Sequence, residues 1–126
     1  LMVSGIGVDV VNIQRMERLS EHVKSRMFHP RELEEAKMMA EGVQAEFLAG
    51  RFAAKEALGK ALGTGLVHLS LQDIWVERAP SGKPELRFKG SVQALIGQRT
   101  VMLSISHDNP VAIAMVVLLG AGNATN

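Results

Sequence analysis

The sequence predicts an α+β fold in which an antiparallel sheet is covered by one long helix and several shorter ones. The elements occur in the order strand, helices, then mostly strands, which favours this class. The chain has 126 residues, of which 47% are hydrophobic, enough for one domain with its own core. It has no cysteine, which excludes disulfides, thiolate zinc sites and a cysteine nucleophile. We expect a single domain over residues 1–126, with an ordered core over 3–118 and a tail over 120–126.

The first third of the chain predicts one strand followed by helices. Residues 3–11 are rich in Val and Ile, which favours a strand. Asn12 suits a helix N-cap. The apolar residues after it recur at helical spacing: Ile13, Met16 and Leu19. Pro30 suits the first turn of a second helix, which we expect to reach Ala40.

A longer helix is expected over residues 45–62, after an interruption at Gly42. Gly63 and Gly65 end it, as glycines often do at a helix C-terminus. Its apolar residues recur at the spacing of one helix face: Phe47, Ala54, Leu58, Ala61 and Leu62.

The second half predicts mostly strands. Four segments alternate in polarity or are strongly apolar, as strands are: 69–78, 85–90, 101–107 and 111–119. Turn-forming residues cluster over residues 80–84 and 108–110. Residues 91–98 are a candidate for a short helix.

Charge and hydropathy exclude some partners. The formal net charge is only +1, so we expect no nucleic-acid partner. No apolar run approaches the roughly twenty residues needed to cross a bilayer, so we expect no membrane association. The N-terminus lacks the basic region and cleavage site of a signal peptide, which leaves the cytoplasm as the expected compartment.

The segment RFAAKEALGKALGTG, residues 51–65, carries charges on a helix that otherwise suits burial. Residues four apart share a helix face, and we expect one polar stripe opposite the apolar one. This spacing occurs in two pairs: Arg51 with Lys55, and Glu56 with Lys60. Two interpretations stay open, a solvated face held by a Glu-to-Lys pair or a face that binds a metal-bound diphosphate. The closing Gly-Thr-Gly favours the second, because the backbone N–H groups of such turns bind anionic oxygens, although the segment is not a Walker A motif.

Asp9 and Glu56 are the candidate metal ligands. Asp9 interrupts an apolar strand, where an unpaired carboxylate would be costly to bury. Mg²⁺ takes one or two carboxylates and completes its shell with water and substrate phosphates. Glu56 supplies the second carboxylate if the long helix crosses that strand; otherwise Asp9 is a turn or capping residue at the strand's end.

A polar cluster, Ser106-His107-Asp108, ends a predicted strand near the C-terminus. It is not a hydrolase triad, because adjacent residues on a strand point to opposite faces. A single histidine at a strand end is usually a surface or hydrogen-bonded residue.

Three segments together resemble one protein family: GIGVDVVNIQR at residues 5–15, FLAGRFAAKEALGKALGTG at 47–65 and LSISHD at 103–108. FHPREL at 28–33 and SGKP at 81–84 fit the same family in the same order. The family is that of the holo-[acyl-carrier-protein] synthases, the small bacterial members of the phosphopantetheinyl transferase superfamily. The resemblance covers essentially residues 3–118, and five motifs with consistent spacing make it specific.

The resemblance implies an α+β 4′-phosphopantetheinyl transferase fold and the matching activity. The enzyme would transfer 4′-phosphopantetheine from coenzyme A to a serine of apo acyl carrier protein, with Mg²⁺, and release adenosine 3′,5′-bisphosphate. It would serve fatty-acid biosynthesis. The resemblance also implies a homotrimer with its sites at the subunit interfaces.

The same resemblance assigns roles to individual residues. Asp9 and Glu56 match the metal ligands and, with Lys60, are the expected catalytic residues. The positions that match contacts with coenzyme A are Arg51, Lys55, Lys60, Gly63, Thr64, Gly65, Lys83, Pro84, Ser106 and His107. The positions that match the docking surface for the carrier protein are Arg15, Arg18 and Arg26. The general base stays open between Glu56 and Glu32.

Two other functional classes stay open. A non-catalytic trimeric sensor would bind coenzyme A without turnover, but it would not require the set of Asp9, Glu56 and Lys60. A Mg²⁺-dependent nuclease or phosphodiesterase would also use two carboxylates. Against it, the single Trp and the absence of Tyr offer nucleic-acid bases few side chains for stacking.

Overall fold

The computed structural model of the chain describes residues 2–121. Within these residues, strands and helices follow the predicted order, which confirms the α+β class. In chain order the elements are β1 (Val3–Asn12), α1 (Ile13–Glu17), α2 (Glu21–Met27), α3 (Pro30–Lys37), α4 (Glu41–Leu62), 3-10 turns at Leu66–His68 and Leu71–Asp73, β2 (Ile74–Arg78), β3 (Pro84–Phe88), α5 (Gly90–Ile96), β4 (Thr100–Asp108) and β5 (Val111–Leu119).

The main sheet has three strands in the order β1-β5-β4, and both neighbouring pairs are antiparallel. β2 and β3 form a separate antiparallel hairpin. The 22-residue helix α4 packs across one face of the main sheet, and the hydrophobic core lies largely between them. The structure therefore confirms an antiparallel sheet covered by a long helix and shorter ones.

β1 approaches the backbone of α4 so closely that two of its positions have no room for a side chain. A Cβ at Gly5 would lie 2.2 Å from a carbonyl oxygen of α4, and one at Gly7 would lie 2.0 Å from the carbonyl oxygen of Ala57. A step of two residues along β1 thus covers about the same distance as one turn of α4, and the strand and the helix run in opposite directions. By the same step, Asp9 reaches the preceding turn of α4, which carries Glu56.

Helix boundaries agree with the sequence at the caps and differ elsewhere. The Asn12 side chain accepts the N–H of Gln14, and Pro30 begins α3, as predicted. α4 begins at Glu41, so Gly42 does not interrupt it; a glycine costs little in a first turn, where the N–H groups have no helical partner. α3 ends at Lys37 instead of reaching Ala40.

The predicted strand over residues 69–78 is only half correct. Leu69 and Leu71, like Ile74 and Val76, are two positions apart, whereas Ile74 follows Leu71 by three positions. This step breaks the two-residue period of a strand. The chain forms a 3-10 turn at Leu71–Asp73, and β2 begins only at Ile74.

The C-terminal end of the described chain remains attached to the fold. Gly120 donates its N–H to Met2 O at 2.8 Å. Residues 122–126, most of the predicted tail, lie outside the described residues. Among residues 2–121, no helix has the length and apolar character that a bilayer-spanning helix requires.

The face of the main sheet opposite α4 is apolar and exposed. Ile6 is 63% exposed and Val10 is 55% exposed. The strand register places further exposed apolar side chains on the same face: Val8, Met102, Ile113 and Met115. Contiguous exposed apolar surfaces of this kind are often interaction sites.

The close crossing predicts a destabilising glycine substitution. Gly7→Ala should lower the free energy of unfolding by about 1–3 kcal/mol, because the new methyl group meets backbone that cannot yield without shifting α4. Gly42→Ala is the matched control: its Cβ would have nothing within 4 Å. That control should stay within about 0.5 kcal/mol of wild type, because Gly42 lies in the first turn of α4 and a side chain there would face open space. Urea unfolding followed by circular dichroism measures both, and wild-type stability of Gly7→Ala would contradict the contact.

Candidate functional site

Asp9, Glu56 and Lys60 lie together where β1 crosses α4. The Lys60 ammonium donates to Asp9 Oδ1 at 3.0 Å and to Val8 O at 3.0 Å. The Asp9 side chain is only 15% exposed, whereas that of Lys60 is 53% exposed. Asp9 lies inside β1 and faces the helix, so it is not a turn or capping residue at the strand's end.

The two carboxylates repel each other. The pKa of Glu56 is raised, first by its loss of solvation and then by the negative charge of Asp9. The positive charges of Lys60 and Arg15 oppose this shift. Both carboxylates therefore lie within electrostatic reach of each other in a partly desolvated place.

A divalent cation fits this pair. It would neutralise the repulsion, and carboxylate oxygens are the hard ligands that Mg²⁺ prefers. Within residues 2–121, no group of three or more His, Cys, Asp or Glu side chains is arranged to hold a metal ion. A cation here would therefore have Asp9 and Glu56 as its protein ligands and take the others from water or a substrate.

The charged residues of α4 lie on two faces, so the prediction of one polar stripe is wrong. At about 100° per residue, Glu56 is turned by about 140° from Arg51. Glu56 and Lys60 flank the sheet, whereas Arg51 is only 5% exposed. The solvated-face interpretation also fails, since Lys60 forms its ion pair with Asp9.

Lys55 is fully buried, and for this reason the prediction that it binds a phosphate of coenzyme A is wrong. Its ammonium donates to Glu32 Oε1 at 2.6 Å, to Met27 O at 3.0 Å and to Leu71 O at 3.2 Å. These bonds use every N–H of the ammonium. Glu32 is only 1% exposed in the same pair, so it is not placed to act as a general base on a substrate.

Arg51 has a buried guanidinium with unused donors. Among the residues that the structure describes, its Nε and Nη2 have no hydrogen-bond partner. The guanidinium lies 3.7 Å from the centroid of the Phe47 ring, and burial lowers its pKa. Buried donors without partners are costly, so this side chain is suited to an anionic ligand that would pair with them.

Arg51 lines a cavity of about 230 Å³ beside α4. Pro84 and His107 line it too, so the structure brings together three of the residues predicted to bind coenzyme A. Lys83 and Ser106 are not among the lining residues, because neighbours along an extended chain point to opposite sides.

The turn at residues 63–65 closes α4 and does not present free amides. Gly63 adopts the left-handed conformation with φ of 78°, and its N–H bonds to Lys60 O at 3.1 Å. The N–H groups of Thr64 and Gly65 bond to Gly59 O at 3.2 and 3.1 Å. All three amides thus satisfy the helix end. The prediction that they bind anionic oxygens is wrong, and any contact of this turn with a ligand would use other atoms.

The three arginines predicted to dock a carrier protein are all exposed. Arg15 and Arg18 lie at the end of α1, and Arg26 lies in the last turn of α2. The positive charge of Arg15 acts on Glu56, so this basic surface borders the carboxylate pair.

The sequence does not reveal two further residues of the Arg51 cavity, Glu46 and Arg78. Glu46 Oε1 lies 3.3 Å from His107 Nε2, a contact between α4 and β4 that only the tertiary fold creates. The structural role of Glu32 did have a signal. It follows His29 by three residues, as in a capping box, and accepts the N–H of His29 at 3.1 Å.

Comparison with known proteins gives one consistent result. The family model of the 4′-phosphopantetheinyl transferase superfamily matches residues 5–115. A holo-[acyl-carrier-protein] synthase of Geobacillus kaustophilus is 44% identical over 128 residues, which cover 98% of this chain and 95% of that protein. One of Treponema pallidum is 40% identical over 124 residues, covering 94% and 98%.

Solved structures agree in fold. The holo-(acyl-carrier-protein) synthase of Bacillus anthracis, in complex with coenzyme A (3′,5′-ADP), has a TM-score of 0.82 and 39% identity, covering 94% of this chain and 97% of that one. The Helicobacter pylori synthase in complex with coenzyme A has a TM-score of 0.75 and 32% identity, covering 90% and 99%.

The raised pKa of Glu56 predicts a gain of stability on neutralisation. Because the pKa of Glu56 is higher in the folded state than in the unfolded state, ionisation of this side chain lowers the free energy of unfolding. The loss is absent at pH values below the unfolded pKa of 4.5 and complete at pH values above the raised folded-state pKa. With a chelator present, Glu56→Gln should melt above wild type at about pH 8 and together with it at about pH 4. Calorimetry measures both, and equal melting temperatures at both pH values would contradict the repulsion.

Proposed function

Since the chain belongs to the 4′-phosphopantetheinyl transferase superfamily, as a holo-[acyl-carrier-protein] synthase, we propose that it modifies an acyl carrier protein with coenzyme A as donor. The carrier's serine hydroxyl attacks the β-phosphorus of coenzyme A, and adenosine 3′,5′-bisphosphate leaves. The reaction would serve fatty-acid biosynthesis in the cytoplasm. The observation that carries this proposal is the convergence of Asp9, Glu56 and Lys60 at one crossing of strand and helix.

Asp9 and Glu56 would hold the Mg²⁺ ion. When bound, Mg²⁺ supplies a positive charge that polarises the oxygens of the diphosphate. Two carboxylates leave room for water and substrate oxygens in its shell. Their placement on a rigid strand and a rigid helix fixes them relative to each other before a substrate arrives, which is the main protein contribution to reactions of this type.

Lys60 would stabilise the negative charge that develops on the leaving bisphosphate. Its half-exposed ammonium is held in place by Asp9 and Val8 O, and can still face a ligand. The chain needs no nucleophile of its own, because the attacking hydroxyl belongs to the carrier protein.

The Arg51 cavity would bind a phosphate of the nucleotide half of coenzyme A. Its support is the pair of unpartnered guanidinium nitrogens, together with His107 and Arg78 in the same cavity. Two oxygens of one phosphate would accept hydrogen bonds from both buried nitrogens of Arg51, because the guanidinium fork matches phosphate geometry.

We also propose a homotrimer with each site at an interface. The exposed apolar face of the main sheet supports association with further copies. Glu56 and Arg51 lie about 140° apart around α4. Within one copy the two groups therefore face different directions. In the proposed trimer, the Arg51 cavity of a second copy would lie beside the carboxylates of the first.

The carrier protein would dock on the basic surface formed by Arg15, Arg18 and Arg26. All three are exposed, and Arg15 acts electrostatically on Glu56. Positive charge next to the site would steer an acidic partner toward it. The attacking serine would then arrive beside the carboxylate pair.

Incubation of an apo carrier protein with this protein, coenzyme A and Mg²⁺ tests the function. Intact mass spectrometry should show a carrier heavier by one phosphopantetheine group. Asp9→Asn and Glu56→Gln should fold but lose about 10²–10³-fold in rate, since each removes a preorganised charge contact. Binding of coenzyme A with no modified carrier would instead favour the non-catalytic sensor, and near-normal turnover of either variant would contradict the cation site.

Replacing Arg51 should weaken the binding of coenzyme A without slowing the chemical step. Arg51→Met should raise the KM for coenzyme A about tenfold to a hundredfold, because hydrogen bonds to charged groups contribute about 1.5–3 kcal/mol. The value of kcat should change little, since the contact forms equally in the ground and transition states. Steady-state kinetics measures both constants. An unchanged KM would show that the phosphate lies elsewhere.

A further inference from the structure

A buried ion pair fastens α4 to four other elements. Lys55 is 0% exposed, Glu32 is 1% exposed, and their charged atoms lie 2.6 Å apart. Lys55 also binds backbone carbonyls of α2 and of the 3-10 turn Leu71–Asp73. Glu32 lies in α3 and also accepts the N–H of His29 at 3.1 Å and that of Val76, in β2, at 3.0 Å.

The pair holds α4 from the side opposite the main sheet. At about 100° per residue, Lys55 and Ala57 are separated by about 200° around the helix. Ala57 faces β1 through its contact with Gly7, so Lys55 points away from the sheet. Glu56 lies between these two directions, about 100° from Lys55.

The contact with the glycines of β1 does not by itself fix the rotation of α4. The helix faces β1 with small side chains, and the strand faces the helix with glycines. Such surfaces have no large side chains to interlock as ridges and grooves. A small rotation of α4 would keep this contact but carry Glu56 away from Asp9.

We propose that Glu32 and Lys55 are positioning residues that set the rotation of α4 and thereby hold the Glu56 carboxylate beside Asp9. The inference rests on the proposed function, because only that function makes the alignment of Asp9 with Glu56 a divalent-cation site. A buried ion pair contributes little net stability because desolvation offsets its attraction, and its best-attested use is to fix register. Hydrogen bonds that link α4 to four other elements make this pair a directional anchor that apolar packing would not replace.

The double variant Glu32→Gln/Lys55→Met tests the inference on the free protein. It leaves no unpaired charge in the core, so it should fold. It should bind Mn²⁺ at least about tenfold more weakly than wild type, as outer residues that orient metal ligands typically affect affinity by about 10–100-fold. Titration followed by electron paramagnetic resonance measures this affinity without turnover.

Ile96→Ala is the matched control. Ile96 is buried in α5, which contributes no residue to the cation site, so a cavity there should lower the melting temperature and leave Mn²⁺ affinity at the wild-type value. If the ion pair only stabilised the fold, the double variant would likewise melt at a lower temperature and bind Mn²⁺ as wild type does. Wild-type Mn²⁺ affinity in the folded double variant would therefore overturn the positioning role.

Two further outcomes are distinguishable. If wild type itself fails to bind Mn²⁺, the proposed cation site is overturned, and the positioning role with it. If Glu32→Gln/Lys55→Met does not fold, Glu32→Gln/Lys55→Gln carries the same test, because two amides satisfy more of the buried backbone groups. This second variant should also bind Mn²⁺ more weakly, since glutamine is too short to reach both carbonyls that Lys55 binds, and full affinity would overturn the role.

Discussion

The arrangement depends on the close crossing of β1 over α4. Gly5 and Gly7 leave no space for a side chain between the strand and the helix. Because the two backbones nearly touch, carboxylates from distant parts of the chain come within electrostatic reach of each other. Larger side chains at the crossing would widen the gap and separate Asp9 from Glu56. The position of the candidate site therefore depends first on how closely the backbones of β1 and α4 pack.

Three features of the molecule are unfavourable in the isolated chain, and each would be relieved by a different one of the proposed partners. The carboxylate pair is partly desolvated and repulsive, and a divalent cation would offset that repulsion. Arg51 has buried donors that an anion would satisfy. The outer face of the main sheet exposes apolar side chains that another copy would cover. Strain of this kind, concentrated where binding occurs, is expected of a functional site and not of a scaffold optimised for stability alone.

The order of the elements and the candidate ligand Asp9 could be predicted from the sequence because their signals are local, whereas the pairing with Glu56 could be predicted only on the condition that the long helix crosses the strand. A carboxylate within an apolar strand identifies Asp9, and a glycine after a long apolar helix identifies its end at Gly63. Lys55 could not be placed correctly, because spacing shows which residues share a face and not which face is buried. α4 is covered on both sides, so its periodicity carries little information. The amides of residues 63–65 were likewise ambiguous, since a helix cap and an anion cradle use the same glycines.

The most direct test of the central claim is the position of a bound ion. A crystal grown with Mn²⁺ and measured at the manganese absorption edge locates the cation by its anomalous scattering. The account predicts one strong peak between the carboxylates of Asp9 and Glu56, within about 2.5 Å of an oxygen from each. A peak on only one of these residues, or at a different place in the molecule, would contradict it.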